Sequence, residues 1–135
     1  MDQDTVDAKV ADYWDKHTDE SFFGETYWLA NPVINRHHQK LAAGGRDYET
    51  WVDFSVQHFL GQDCPVDQVL CIGSGDGVLE RHLARINTAK LIEGIDLAPK
   101  RIAIAEEEAR KAGFADVISY SVCNAEINPF PNSNY

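Results

Sequence analysis

The run Val69-Leu-Cys-Ile-Gly-Ser-Gly-Asp-Gly77 constrains this chain more than any other stretch. Four apolar residues suited to a buried strand lead straight into glycines at 73, 75 and 77, and Val78-Leu79-Glu80-Arg81-His82-Leu83 then starts a helical pattern. Strand, tight glycine turn and helix together bring backbone N–H groups at a helix N-terminus close to a ligand lying over the strand end. Glycine has no side chain to hold that ligand off, and it tolerates positive φ. The turn is a candidate ligand cradle, and the rest of the chain must supply a sheet to carry it.

Downstream the pattern does so. Short apolar runs alternate with helical stretches, which is the signature of βαβ units and a parallel sheet. The spacing predicts a first strand over 68–72 and a helix near 77–86 that buries Leu79, Leu83 and Ile86. A second strand follows over 90–96. Pro99 opens a helix over 99–112 whose inner face is Ile102, Ala105, Ala109 and Ala112. Its outer face pairs Glu106 with Arg110 and Glu107 with Lys111 at i, i+4, a solvated arrangement that needs no functional explanation. Gly113 stops that helix, 117–123 alternates as a third strand, and Asn128-Pro-Phe-Pro begins a loop.

Upstream the chain reads as helical. Val6, Val10, Tyr13 and Trp14 share one face of a helix near 5–17. Residues 18–30 are irregular and aromatic, with Phe22, Phe23, Tyr27 and Trp28 read chiefly as core cover and secondarily as a substrate wall. Asn31-Pro32 starts a helix that Gly44-Gly45 ends, and a further helix near 47–60 carries Tyr48, Val52, Val56, Phe59 and Leu60 on one stripe. His37 and His38 are sequence neighbours on the first of these and point in different directions. They cannot share a metal as an i, i+4 pair would, and no metal site is expected.

Composition narrows the function classes. At 135 residues there is room for one core, read here as a helical region over 1–61 and a sheet region over 62–135. The apolar runs fall far short of the roughly 20 residues that cross a bilayer, and the acidic N-terminus does not resemble a signal peptide, so a cytoplasmic protein without membrane contact is expected. A net charge of −10 argues against nucleic acid as a partner, since phosphate backbones are held by clustered Lys and Arg. Cys64, Cys71 and Cys123 are odd in number and unpatterned, and are read as reduced, buried thiols rather than disulfides or zinc ligands.

Three loops fall at the carboxyl ends of three consecutive parallel strands, where open α/β sheets bind their ligands. They are the glycine turn at 73–77, Asp96-Leu97 and Asn124-Ala125. Asp96 stands 23 positions after Gly73, at a strand tip where a carboxylate can accept from both hydroxyls of a ribose. A dinucleotide fold wants G-x-G-x-x-G, which would need glycine at Val78; this chain has G-x-G-x-G.

On these residues the chain resembles the class I S-adenosylmethionine-dependent methyltransferases. Their first motif is a strand followed by G-x-G-x-G. Their second, a strand ending in G-x-D-x-S/A-P, is matched by Gly94-Ile-Asp96-Leu-Ala-Pro99, and Ser121-Val-Cys-Asn124-Ala-Glu126 with Pro129-Phe-Pro131 looks like their third. The resemblance implies an α/β, Rossmann-like parallel sheet, its first three strands in the order 3-2-1, preceded by an N-terminal helical cap. It implies S-adenosyl-L-methionine as cofactor. Gly73, Ser74, Gly75 and Gly77 would cradle the methionine part through backbone contacts, Asp96 would hold the ribose, Leu97 would pack on adenine, and Asn124 with the Ala125 N–H would read the adenine edge.

The sequence also departs from that pattern. Many members carry an acid two positions before the first glycine, where this chain has Cys71, and another at the third motif, where it has Asn124. The family sheet has seven strands. This chain ends after the third, with Asn134-Tyr135 standing where the lead-in to a fourth would begin, so the catalytic residues are not readable and the uncovered edge of the first strand invites self-association. The expectation is methyl transfer to a small-molecule or glycan-type acceptor, this chain supplying the cofactor-binding half. The alternatives are an NAD(P)-dependent oxidoreductase and a non-catalytic nucleoside-cofactor-binding or interaction module.

Overall fold

The computed structural model describes residues 3–16 and 31–127. The aromatic segment at 18–30, the Pro129-Phe-Pro131 part of the third motif, and Asn134-Tyr135 lie outside the described residues. By contacts the chain divides into two compact units. One joins α1 (Gln3–Lys16) to the residues from 65 onward, and the other holds the described residues 31–64.

The 31–64 unit opens with α2 (Pro32–Ala42). The Asn31 side chain accepts from the N–H of Val33 (3.0 Å) and of Ile34 (3.4 Å), and Pro32 stands at the first helical position, where no N–H is needed. The helix ends as the sequence predicts, with the Gly45 N–H donating to the Lys40 carbonyl at 2.8 Å and positive φ at Gly44 and Gly45. The next helix differs from the expected 47–60. α3 (Trp51–Ser55) begins later, with Thr50 as its N-cap and Asp53 in its first turn, and it runs on as a π turn (Val56–Leu60) and a 3-10 turn (Gly61–Asp63). Tyr48 precedes the helix and packs its ring edge-on to Phe54, centroids 5.3 Å apart. The wider π turn also rotates the stripe, which leaves Phe59 on the surface. His37 and His38 are both exposed.

In the other unit β1 (Val66–Ile72), β2 (Ala89–Asp96) and β3 (Ile118–Val122) form a parallel sheet in the order β1-β2-β3. Cys71 lies beside Gly94, which lies beside Tyr120, and Ile92 pairs with Ile118 two residues earlier on the same face. Ile92, Glu93, Gly94 and Ile95 are all buried, so the central strand is covered on both faces, as parallel sheets require. α4 (Val78–Arg85) and α5 (Pro99–Lys111) connect the strands. Ile102, Ala105 and Ala109 of α5 are buried as predicted, but Ala112 is its exposed C-cap. α4 buries Leu83 while Leu79 faces outward, and Glu80 takes the inward position instead. On the outer face of α5, Arg110 pairs with Glu107 rather than the expected Glu106, and Lys111 reaches both Glu107 and Glu108. Among the described residues no helix is long and apolar enough to cross a membrane.

Candidate functional site

The glycine turn is tied to the end of β2. The N–H groups of Gly73 and Ser74 both donate to the Ile95 carbonyl, at 2.8 and 3.0 Å. The Gly75 N–H donates to Asp96 Oδ2 at 2.8 Å, and the Gly77 N–H closes the turn on the Ser74 carbonyl at 3.0 Å. Asp96 Oδ1 accepts from the Ala98 N–H at 2.9 Å, which fixes the lead-in to α5. Asp96 thus staples two of the three loops together, through a contact between residues 21 apart in sequence. Each of its oxygens accepts one N–H, and a carboxylate has about four lone-pair sites, so acceptor capacity for a ligand's hydroxyls remains.

The glycines do different work. Gly73 has φ +78 and a Cβ built there would meet nothing within 4 Å, so the chain is bare over open space. Gly75, at φ +55, has the Arg101 guanidinium 3.6 Å from such a Cβ. Gly77 is buried, and a Cβ there would lie 2.3 Å from the Tyr120 hydroxyl oxygen and 2.9 Å from Ala105 Cβ. Gly73 is bare and Gly75 lies against Arg101, whereas Gly77 lets α4 and α5 close on β3.

α1 carries residues to this edge that the sequence reading did not single out. Asp7 Oδ2 accepts from Asn124 Nδ2 at 2.6 Å, while Asn124 Oδ1 accepts from the Glu126 N–H at 2.8 Å. Arg101 is buried on α5, donates from Nε to the Trp14 carbonyl at 3.2 Å and lies over the Trp14 ring. The Lys100 N–H donates to Asp15 at 3.0 Å. α1 therefore holds both the first turn of α5 and the loop after β3. Leu97 and Ala125 are half-buried in those loops.

Beneath the turn, burial pushes the Cys71 thiol up to about 12, and the neighbouring Glu80 charge adds to the rise. The Tyr120 hydroxyl is also raised, first by burial and then by Glu80, with Arg81 opposing. Away from this edge, the 31–64 unit has an open groove between α2 and residues 46–50 in which Arg36 and Arg46 alternate with Asp47 and Glu49. Among the described residues no cluster of His, Cys, Asp or Glu could hold a metal.

Residues 70–135 match the family model described as a methyltransferase domain. The match covers just under half of the chain and is consistent with the class I, S-adenosylmethionine-dependent methyltransferases. No curated protein matches the chain in sequence. Among solved structures, the fold of the chain is similar to that of a geranyl diphosphate methyltransferase in complex with GPP and sinefungin (TM-score 0.60, 20% identity, 92% of this chain and 51% of that one). It is also similar to a geranyl diphosphate C-methyltransferase from Streptomyces coelicolor A3(2) (TM-score 0.58, 22% identity, 92% and 48%) and to the cyclase SpnF (TM-score 0.53, 22% identity, 93% and 45%). The chain spans about half the length of these structures. The fold thus also carries a cyclase, and the chemistry of this chain has to be argued from its site.

Proposed function

We propose that this chain holds S-adenosylmethionine on the glycine turn and the ends of β2 and β3, and supplies the cofactor-binding half of a methyltransferase for a small-molecule or glycan-type acceptor. One observation carries the reading: the Gly75 N–H and the Asp96 carboxylate meet at 2.8 Å, so a bare turn and a ribose-competent carboxylate form one continuous surface. Gly73, Ser74 and Gly75 would lie under the methionine end, with Gly77 behind them shaping the turn. Asp96 would accept from the ribose hydroxyls, Leu97 would cover adenine, and Asn124 with the Ala125 N–H would face its edge. Arg101, beside Gly75, adds a cation suited to the ligand's carboxylate.

The hydrogen bonding of the turn also favours this reading over a nicotinamide cofactor. A dinucleotide's pyrophosphate is held by free N–H groups of the glycine turn. Here those of Gly73, Ser74, Gly75 and Gly77 are all committed inside the protein. What the turn offers at Gly73 is bare Cα surface over open space. When bound, the cofactor supplies an electrophilic methyl group on a sulfonium, and the role of this chain's residues is to fix that group's position. The net charge of −10 supports an acceptor that is not a nucleic acid.

Calorimetry with S-adenosylhomocysteine and with NAD tests the reading. Binding of the first alone, in the micromolar range, is expected, and Asp96→Ala should weaken it at least ~10-fold by removing a charged acceptor. Binding of NAD alone would transfer the site to a hydride-transfer cofactor. Binding of neither would leave an interaction module.

A further inference from the structure

The groove of the 31–64 unit gathers cations in an acidic chain. α2 forms one wall and residues 46–50 the other. The walls are tied together. The Trp51 N–H donates to Gln39 Oε1, Gln39 Nε2 donates to Asn35 Oδ1 at 3.0 Å, and Lys40 Nζ lies 3.7 Å from Asp47. The space between them is about 1220 Å³, enough for a small metabolite.

Arg36 and Lys40 stand one turn apart on the α2 wall, and Arg46 stands on the other. Among the described residues the Arg36 guanidinium has no ion-pair or hydrogen-bond partner. That of Arg46 lies over the Phe54 ring, 5.0 Å from its centroid, a contact that stiffens the side chain and leaves the N–H edge to other partners. In a chain with 22 carboxylates for 12 Lys and Arg, cations find partners easily. Yet neither arginine pairs with Asp47 or Glu49, which line the same groove. Two uncommitted guanidinium forks on one groove suit the bidentate recognition of a phosphate.

We propose that this groove binds the phosphate group of a small organic molecule. Arg36 and Arg46 hold the dianion from the two walls, Lys40 adds charge, and Val33 and Tyr48, also in the lining, take the organic part. Glu49 opposes any anion there, so a singly charged carboxylate is held less firmly than a doubly charged phosphate. The site is built within the 31–64 unit and is independent of the cofactor reading.

Amide NMR titrations of the full chain at pH 8, where phosphate is chiefly a dianion, test it with phenyl phosphate, inorganic phosphate and acetate. Phenyl phosphate should shift amides over 36–50, leave those over 73–77 unmoved, bind more tightly than inorganic phosphate and outbind acetate at least ~10-fold. Arg36→Gln and Arg46→Gln should each weaken it at least ~5-fold, and Arg46→Lys, which keeps the charge but loses the fork, by nearly as much. Glu49→Gln should strengthen it by about twofold. Arg36 is exposed and unpaired, so Arg36→Gln decides the matter should Arg46→Gln disturb the packing on Phe54. Equal affinity for acetate, or undiminished shifts in Arg36→Gln, would reveal a diffuse ionic attraction and overturn the proposal. Equal affinity for inorganic phosphate would overturn the organic part and assign the groove to free phosphate. No shifts over 36–50 would overturn the site altogether.

Discussion

The unit built on the sheet and the 31–64 unit solve the burial of apolar surface very differently. In the first, Ile92, Ile95, Ala98, Ala105 and Ala109 are almost wholly enclosed. In the second, Ala43 is the buried apolar side chain among the described residues, while Val33, Leu41 and Phe59 are each about two-thirds exposed or more. Local connectivity explains the contrast. Each βαβ step folds its own helix onto its own strands, so a short stretch of chain covers the face it creates. An amphipathic helix creates an apolar face without specifying what lies on it.

The largest difference should appear at glycines. Gly77→Ala drives a Cβ into Tyr120 and Ala105 at positive φ, and should cost about 4 kcal/mol in urea unfolding. Gly45→Ala, also at positive φ but with nothing within 4 Å, should cost about 1 kcal/mol. Comparable losses would break the contrast between a packed and an open turn. Next come the apolar side chains. Ile92→Ala should cost about 3 kcal/mol, whereas Phe59→Ala should stay within about 0.5 kcal/mol. A large loss at Phe59 would mean that this side chain is covered after all.

A third comparison needs no substitution. With its pKa pushed up to about 12, the Cys71 thiol stays protonated at pH 8, and only the thiolate alkylates. Iodoacetamide at pH 8 should therefore modify the half-buried Cys64 and Cys123 well before Cys71, as peptide mapping would show. Early modification of Cys71 would contradict its enclosure with Glu80.

Much of the sheet unit was legible because its signals are local. Apolar runs, glycines and Pro99 mark the strands, the turn and the α5 start within a residue or two. The α3 start was misplaced because Tyr48 fits a helical stripe by spacing yet packs on Phe54 from outside the helix. The capping pair Thr50 and Asp53 carried the better signal. Glu80 was hidden for a different reason. Helical periodicity put Leu79 inside, but the close contact of Gly77 with Tyr120 sets how α4 is rotated on the sheet. Asp7, 117 residues before Asn124, and Arg101 against Trp14 are long-range pairs that no local pattern announces.

The central claim is that one surface, formed by the glycine turn and the ends of β2 and β3, takes an S-adenosyl compound. Amide NMR spectra recorded during titration with S-adenosylhomocysteine test it most directly. The account predicts shifts concentrated at Gly73, Ser74, Gly75, Leu97 and Ala125, with Gly44 and Gly45 unmoved. Shifts confined to the groove between α2 and residues 46–50, or none at all, would contradict it.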